Sequence, residues 1–186
     1  MAEEERVLVQ AGSGLLSLPF SRAARVLEVG GGERPYFRPN LDVRPLPTVD
    51  YVADLSKPWP IPSDEFDGVV GVYCIEHIAW RHVRVFISEV HRVLRPGGLA
   101  FFVTSDLLEQ ARSLVNSESW SDDLVCAIYG DNDYAENTHR SGFSPAYAVR
   151  LFKEAGFFAA NVARHPHPQD MIIQARKSAA DIRRTL

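Results

Sequence analysis

The apolar residues of this chain fall into several short continuous runs, which are separated by glycine, proline and acidic residues. Runs of this length, with breaks of this kind, are typical of strands buried on both faces of a sheet. They predict five core strands, over residues 25–29, 41–42, 49–53, 66–73 and 99–103. Residues 1–23 form a lead-in that is harder to assign. Within it, residues 7–9 fit a short strand, and residues 14–20 fit either a helix or a loop.

Other segments follow the period of an α-helix. Between His82 and Leu94, six apolar residues form one stripe at helical spacing. Residues 106–128 also have a mostly helical pattern. A further helix is favoured after Ser144, because a serine can cap the first turn and the following Pro145 is tolerated there, and this helix should end at Gly156.

The last two apolar runs, residues 157–163 and 171–175, are too close in sequence for a helical crossover, so they should pair as an antiparallel hairpin. Upstream, strands alternate with helices, which implies a mostly parallel α/β sheet with helices on both faces. A chain of 186 residues suits a single domain, so we expect residues 1–186 to form one.

Composition narrows the class of protein. The net charge is −4 with no long basic run, so a nucleic-acid partner is not expected. The two cysteines, Cys74 and Cys126, form no Cys-x-x-Cys pair, which argues against a disulfide scaffold and against a zinc site. The acidic residues 3–5 and the absence of a long apolar run suggest neither a signal peptide nor a membrane span. We therefore expect a cytoplasmic protein.

The first core strand ends in an unusual group of residues, Val29-Gly30-Gly31-Gly32, preceded by Glu28. Glycines at a strand end allow a ligand to approach the backbone, because no Cβ is in the way. In open α/β sheets, ligands bind at the carboxyl ends of strands. By itself this pattern fits a ligand site or an ordinary glycine turn equally well.

Four further segments follow in order. They are Asp42 at the end of the second strand, Ala53-Asp54-Leu55, the stretch from Asp64 to Ile78 with Phe66-Asp67 and Glu76-His77, and Val93-Leu94-Arg95-Pro96-Gly97-Gly98-Leu99. Together with the glycine stretch, these segments resemble the motifs of the class I S-adenosylmethionine-dependent methyltransferases. The resemblance covers residues 25–104 and implies a Rossmann-like sheet, whose closing strands in that family form an antiparallel hairpin.

The resemblance implies S-adenosylmethionine as the cofactor. The cofactor-binding residues that it indicates are Glu28, Gly30, Gly31, Gly32, Asp42, Asp54, Leu55 and Tyr73. In that family, the acid matched by Asp42 binds the ribose hydroxyls, and the acid matched by Asp54 binds the adenine amino group. Without the resemblance, a turn residue near a proline is the better interpretation of Asp42, and a strand-ending residue is the alternative for Asp54.

One departure from the family pattern lies just after the glycines. Asp42 follows Glu28 by only 14 residues, and Pro35 and Pro39 leave room for a short helix at most. A dinucleotide-binding site is the rival interpretation. It would require a third glycine at the position of Pro35, and its ribose acid would come later than Asp42.

The catalytic residues are not assigned by the sequence. His77, His139 and Tyr73 are candidates, although His77 also fits a helix-capping role. His139 lies in a polar loop, residues 130–142, which is either a mobile lid or plain surface.

His165 and His167 flank a proline, so they fit solvated turn residues better than a metal pair, and we expect no metal site. The predicted function is methyl transfer to an unidentified small-molecule acceptor. The alternative is a non-catalytic protein of the same fold that binds the cofactor or a protein partner.

Overall fold

A computed structural model describes residues 6–11, 14–21, 23–117 and 120–179. Nine strands are described: β1 (Arg6–Ala11), β2 (Gly14–Ser21), β3 (Val26–Val29), β4 (Asn40–Asp42), β5 (Tyr51–Val52), β6 (Phe66–Val72), β7 (Leu94–Ser105), β8 (Ala159–Arg164) and β9 (Asp170–Arg176). The helices are α1 (Val83–Val93), α2 (Leu107–Asn116), α3 (Asp122–Tyr129) and α4 (Pro145–Glu154), with a 3₁₀ turn at Ile75–His77. Among the described residues, no helix is long and apolar enough to cross a membrane.

Seven strands form one sheet in the order β5-β4-β3-β6-β7-β9-β8. The strands from β5 to β7 are parallel, and β9 pairs antiparallel with both β7 and β8. The predicted core strands and the predicted C-terminal hairpin are therefore confirmed. From β3 the chain first adds β4 and β5 on one side and then returns to add β6 on the other. This reversal creates a switch point beside the carboxyl end of β3.

One face of the sheet is covered by helices. The apolar stripe of α1 that the sequence predicts is buried there. Phe86 of α1 and Phe152 of α4 both pack against Phe102 of β7. The ring centroids of the two pairs are 5.6 and 5.9 Å apart. Helix α4 begins at Pro145, as predicted, and Gly156 with φ 99° follows its end.

The opposite face is covered differently from the prediction. Strands β1 and β2 form an antiparallel hairpin that packs on this face, and the buried cluster there contains no residue from a helix of the described chain. Helices α1 and α4 thus cover one face, and the hairpin takes the place of a helical layer on the other. Phe20 of β2 lies directly over Gly68 of β6, where a Cβ would come within 2.2 Å of the ring.

One local feature differs from the prediction and a second agrees with it. Residues 95–98, expected to form a turn after α1, lie within the longer strand β7, and the register with β6 is irregular there. Gly97 has φ 82°, a conformation that favours glycine. The shortened segment between β3 and β4 contains no helix, which agrees with the limit set by its two prolines.

Candidate active site

A cavity of about 830 Å³ opens at the carboxyl ends of β3, β4, β5 and β6. Five of the eight predicted cofactor-binding residues line it: Gly30, Asp42, Asp54, Leu55 and Tyr73. The candidate catalytic residues His77 and His139 line the same cavity. The switch point of the sheet thus brings together residues that the sequence places more than 100 positions apart.

The glycine turn after β3 is shaped by close packing. Gly30 has φ 70°, and a Cβ at this position would lie 2.6 Å from the Cys74 sulfur. Gly31 and Gly32 do not line the cavity. A Cβ on Gly31 would meet the side chains of Asn40 and Pro35. Of the three glycines, only Gly30 therefore faces the cavity, where its backbone is open to a ligand.

Glu28 also lies off the cavity wall. Its side chain is buried, and its Oε2 accepts a 2.7 Å hydrogen bond from the backbone N–H of Phe37. Burial raises the pKa of Glu28 to about 7, although the backbone N–H groups of Phe37 and Tyr36 oppose this rise. Through this hydrogen bond the carboxyl group fixes the shortened loop, which contains no helix. The structure therefore gives Glu28 a role in supporting the loop.

Asp42 ends β4 with its carboxylate at the cavity. Its Oδ2 accepts from the N–H of Gly32 at 3.0 Å, and its Oδ1 accepts from the N–H of Arg44 at 2.9 Å. The Arg44 guanidinium lies 3.6 Å away and stacks over the Tyr134 ring. A carboxylate has four acceptor sites, and the described residues occupy two of them, which leaves two for hydroxyl donors.

Asp54 follows β5 on the same wall. Its Oδ1 accepts from both the hydroxyl and the N–H of Ser56, and Lys57 lies 3.1 Å from its Oδ2. These contacts, led by the Ser56 hydroxyl, lower the pKa of Asp54 to about 2. The side chain therefore offers an ionised acceptor near Leu55.

Tyr73 follows β6 with φ 49°, an uncommon backbone conformation for a residue other than glycine. Its hydroxyl donates a 2.7 Å hydrogen bond to Asp170 at the start of β9. Burial, followed by this contact, raises the pKa of Tyr73, so the phenol stays neutral. Backbone strain of this kind is concentrated at functional sites.

The 3₁₀ turn after β6 places Glu76 and His77 beside His139. The His77 and His139 rings are in edge contact, with centroids 5.0 Å apart. Burial lowers the pKa of both histidines. Burial raises the pKa of Glu76 to about 7, although Thr104 and the backbone of Ser105 oppose the rise.

The polar loop predicted to be a lid or plain surface forms one wall of the cavity, through residues 130–131, 134, 136–137 and 139–140. It is held mainly by its backbone: the N–H groups of Arg140 and Ser141 both donate to the carbonyl of Glu76. The N–H of His139 donates to Tyr129 at the end of α3. His139 accordingly faces the cavity.

Several lining residues were not singled out from the sequence. The pairing of β9 with β7 places Asp170 and Gln169 on the cavity wall, and helix α2 places Gln110 there. No local pattern could have indicated them, because their positions depend on strand order. His165 was expected to be solvated, but it is buried beneath the hairpin turn, with its Nδ1 accepting from the N–H of His167.

A parallel α/β sheet with a ligand-sized cavity at its switch point and acids at successive strand ends defines a nucleotide- or nucleoside-cofactor protein of the Rossmann-like class. A family model described as a methyltransferase domain matches residues 2–160. The chain belongs to this methyltransferase family, whose class I members use S-adenosylmethionine.

Similar proteins agree with this assignment. A ubiquinone biosynthesis O-methyltransferase from Agrobacterium fabrum is 31% identical over 112 residues, which cover 59% of this chain. The match spans only 44% of that relative's length.

Solved structures share the fold at low identity. An S-adenosylmethionine-dependent methyltransferase from Mesorhizobium loti has a TM-score of 0.61 at 18% identity, covering 83% of this chain and 91% of that one. The 1,6-didemethyltoxoflavin-N1-methyltransferase of Burkholderia thailandensis, solved with its substrate and S-adenosylhomocysteine, has a TM-score of 0.56 at 15% identity. That match covers 83% of this chain and 71% of the Burkholderia chain.

Proposed function

We propose that the chain transfers a methyl group from S-adenosylmethionine to a small-molecule acceptor. The observation that carries this proposal is the single cavity in which Gly30, Asp42, Asp54 and Leu55 meet at the ends of neighbouring strands. In this proposal Asp42 accepts the ribose hydroxyls, since the described residues donate only two hydrogen bonds to a carboxylate that can accept four, with Arg44 in ion-pair contact beside it. Asp54 accepts from the adenine amino group.

The size of the cavity supports a small acceptor. Ligand pockets commonly occupy roughly 300–1,000 Å³. At about 830 Å³, this cavity is large enough for a cofactor together with a compact second molecule. The Burkholderia neighbour, solved with 1,6-didemethyltoxoflavin, and the ubiquinone-pathway relative favour aromatic acceptors for a first screen.

The bound cofactor supplies an electrophilic methyl group on a sulfonium. The chain's part is to align the acceptor and to exclude water. The loop over residues 130–142 and the turn around His77 both contribute residues to the cavity wall, where an acceptor would be held. We assign His77 and His139 to acceptor contact, and Tyr73 to cofactor contact at the end of β6.

A turnover assay tests the proposal. Purified protein is incubated with S-adenosylmethionine and a panel of phenols, catechols and heteroaromatic amines, and S-adenosylhomocysteine is quantified. We expect His139→Ala to retain its melting temperature and its affinity for S-adenosylhomocysteine but to lose turnover, because His139 lies on the cavity wall.

The matched control is Asp133→Asn, in the same loop but away from the cavity wall, which should keep wild-type turnover. Full activity in His139→Ala would remove this residue from the site. Cofactor binding without turnover on any acceptor of the panel would favour the non-catalytic alternative.

A further inference from the structure

Three potential metal ligands converge on the cavity wall. One ligand atom from each of Glu76, His77 and His139 lies within 4.8 Å of the other two. Glu76 is 2% exposed, and among the described residues neither of its carboxylate oxygens makes a hydrogen bond of normal geometry, although the Thr104 side chain and the Ser105 backbone approach the carboxyl group. Burying an unpaired carboxylate is costly, so native proteins normally pair it with a cation or with hydrogen-bond donors.

The backbone around His77 fixes which ring nitrogen is available. His77 Nδ1 lies 3.2 Å from the carbonyl oxygen of Thr138. A carbonyl can only accept, so Nδ1 carries the proton and Nε2 keeps its lone pair. The Tyr73 carbonyl makes a weaker contact with the same ring. An imidazole that donates one N–H to a carbonyl is the usual arrangement of a metal-binding histidine.

His139 is oriented in a similar way. Its ring faces the backbone carbonyls of Ala127 and Ile128 at the end of α3. Its own N–H donates to Tyr129, which anchors the backbone of the residue. The two histidines therefore come from different segments, and each ring has a backbone carbonyl partner.

We propose that Glu76, His77 and His139 bind one divalent first-row transition metal ion. Two imidazoles and one carboxylate suit Zn²⁺, Fe²⁺ or Mn²⁺ better than Mg²⁺ or Ca²⁺, which prefer oxygen ligands only. Three protein ligands leave coordination positions open toward the cavity. This inference replaces the expectation that the chain has no metal site.

The role of the ion rests on the proposed function. The open positions suit an oxygen atom of the acceptor, so the ion would position a hydroxylated aromatic molecule for methyl transfer. Around a tetrahedral ion, two ligands at about 2.1 Å lie roughly 3.4 Å apart. The three ligand atoms lie within 4.8 Å of one another, so the widest pair has to close by about 1.4 Å at most, a shift within the reach of side-chain rotation.

The test uses tag-free, EDTA-treated full-length protein titrated with Zn²⁺ by calorimetry, and with Co²⁺ by visible absorption. We expect one ion per chain, and weak or undetectable binding of Mg²⁺. Glu76→Gln and His139→Ala should each weaken Zn²⁺ binding by at least about tenfold, since losing even an outer hydrogen-bond partner costs that much. His82→Ala, which removes an exposed histidine of the same cavity wall, should bind as the wild type does.

Affinity for S-adenosylhomocysteine and melting temperature are measured on the same samples. Wild-type protein that binds S-adenosylhomocysteine but not Zn²⁺ or Co²⁺ would overturn the metal site and leave the proposed function intact. Metal binding that is unchanged in Glu76→Gln and His139→Ala, or lost equally in His82→Ala, would also overturn it. Metal binding without cofactor binding would support the metal site and contradict the proposed function.

Discussion

At the scale of single residues, two acids at the ends of neighbouring strands have different tasks. Glu28 is turned into the protein and holds the loop between β3 and β4 through the N–H of Phe37. Asp42 accepts from Gly32 in the turn after β3 and still faces the cavity. Of these two acids from the family motifs, Glu28 thus supports the site, and Asp42 can contact a ligand.

Glu28→Gln should change how stability depends on pH. The pKa of Glu28 is about 7 in the folded protein, against an ordinary value of 4.5. Between these two values the folded state binds more protons than the unfolded state, so wild-type stability falls as pH rises through this window and levels off above it. The contribution of this group is up to about 3 kcal/mol.

Urea unfolding at pH 5 and pH 8 measures this effect. Glutamine keeps an acceptor for Phe37 and cannot ionise, so the variant should gain stability relative to wild type at pH 8. Glu33→Gln, an exposed residue of the same loop, should behave as the wild type does. Identical pH slopes for Glu28→Gln and wild type would show that Glu28 does not carry the effect.

Asp42→Ala should weaken binding of S-adenosylhomocysteine by about 1.5–3 kcal/mol, the range for hydrogen bonds to a charged group. Calorimetry on protein confirmed to be folded gives the affinity. Asp67→Ala is the control, because Asp67 is an exposed aspartate on β6 and does not line the cavity. Unchanged affinity in Asp42→Ala would place the ribose contact on another residue.

At the scale of elements, the hairpin β1–β2 covers the face of the sheet on which a helical layer was expected. Leu18 and Phe20 are buried against the sheet, and Phe20 contacts Phe37 of the shortened loop edge to face, at 6.0 Å. The two unusual segments therefore support one another: the loop without a helix packs against the hairpin that replaces one.

Gly68→Ala tests the packing of the hairpin. The new Cβ would lie 2.2 Å from Phe20 Cε1, and we expect a loss of stability of about 1–3 kcal/mol from overpacking. In a Phe20→Ala background the ring is absent, so the same change should cost much less. A double-mutant cycle by urea unfolding measures the coupling between the two positions. Equal costs in both backgrounds would contradict the close contact.

The sequence predicts the elements of the sheet well because each core strand is a short apolar run with a clear break. It does not predict β2, since residues 14–20 contain Gly14 and Pro19 and only one polar residue, Ser17, so the sequence does not show the alternation in burial that the folded strand has. The position of His165 was also missed. His165 lies in the β8–β9 turn, where its 5% exposure is set by tertiary packing that no local pattern indicates.

At the scale of the whole molecule, the site is assembled by strand order. Tyr73 and Asp170 lie 97 positions apart and share a hydrogen bond because β6, β7 and β9 are neighbours. The motifs after β3, β4 and β5 were visible in the sequence because each lies at a strand end. Of the wall formed by α2, β9 and the 130–142 loop, the sequence indicated one candidate site residue, His139.

The central claim is that this cavity binds S-adenosylmethionine and not a dinucleotide. A thermal-shift titration with S-adenosylhomocysteine, and separately with NAD, tests it most directly, because a ligand that binds only the folded state raises the melting temperature. We expect S-adenosylhomocysteine to raise the melting temperature of the wild type, to raise that of Asp42→Ala less, and NAD to leave both unchanged. A shift with NAD alone would contradict the account.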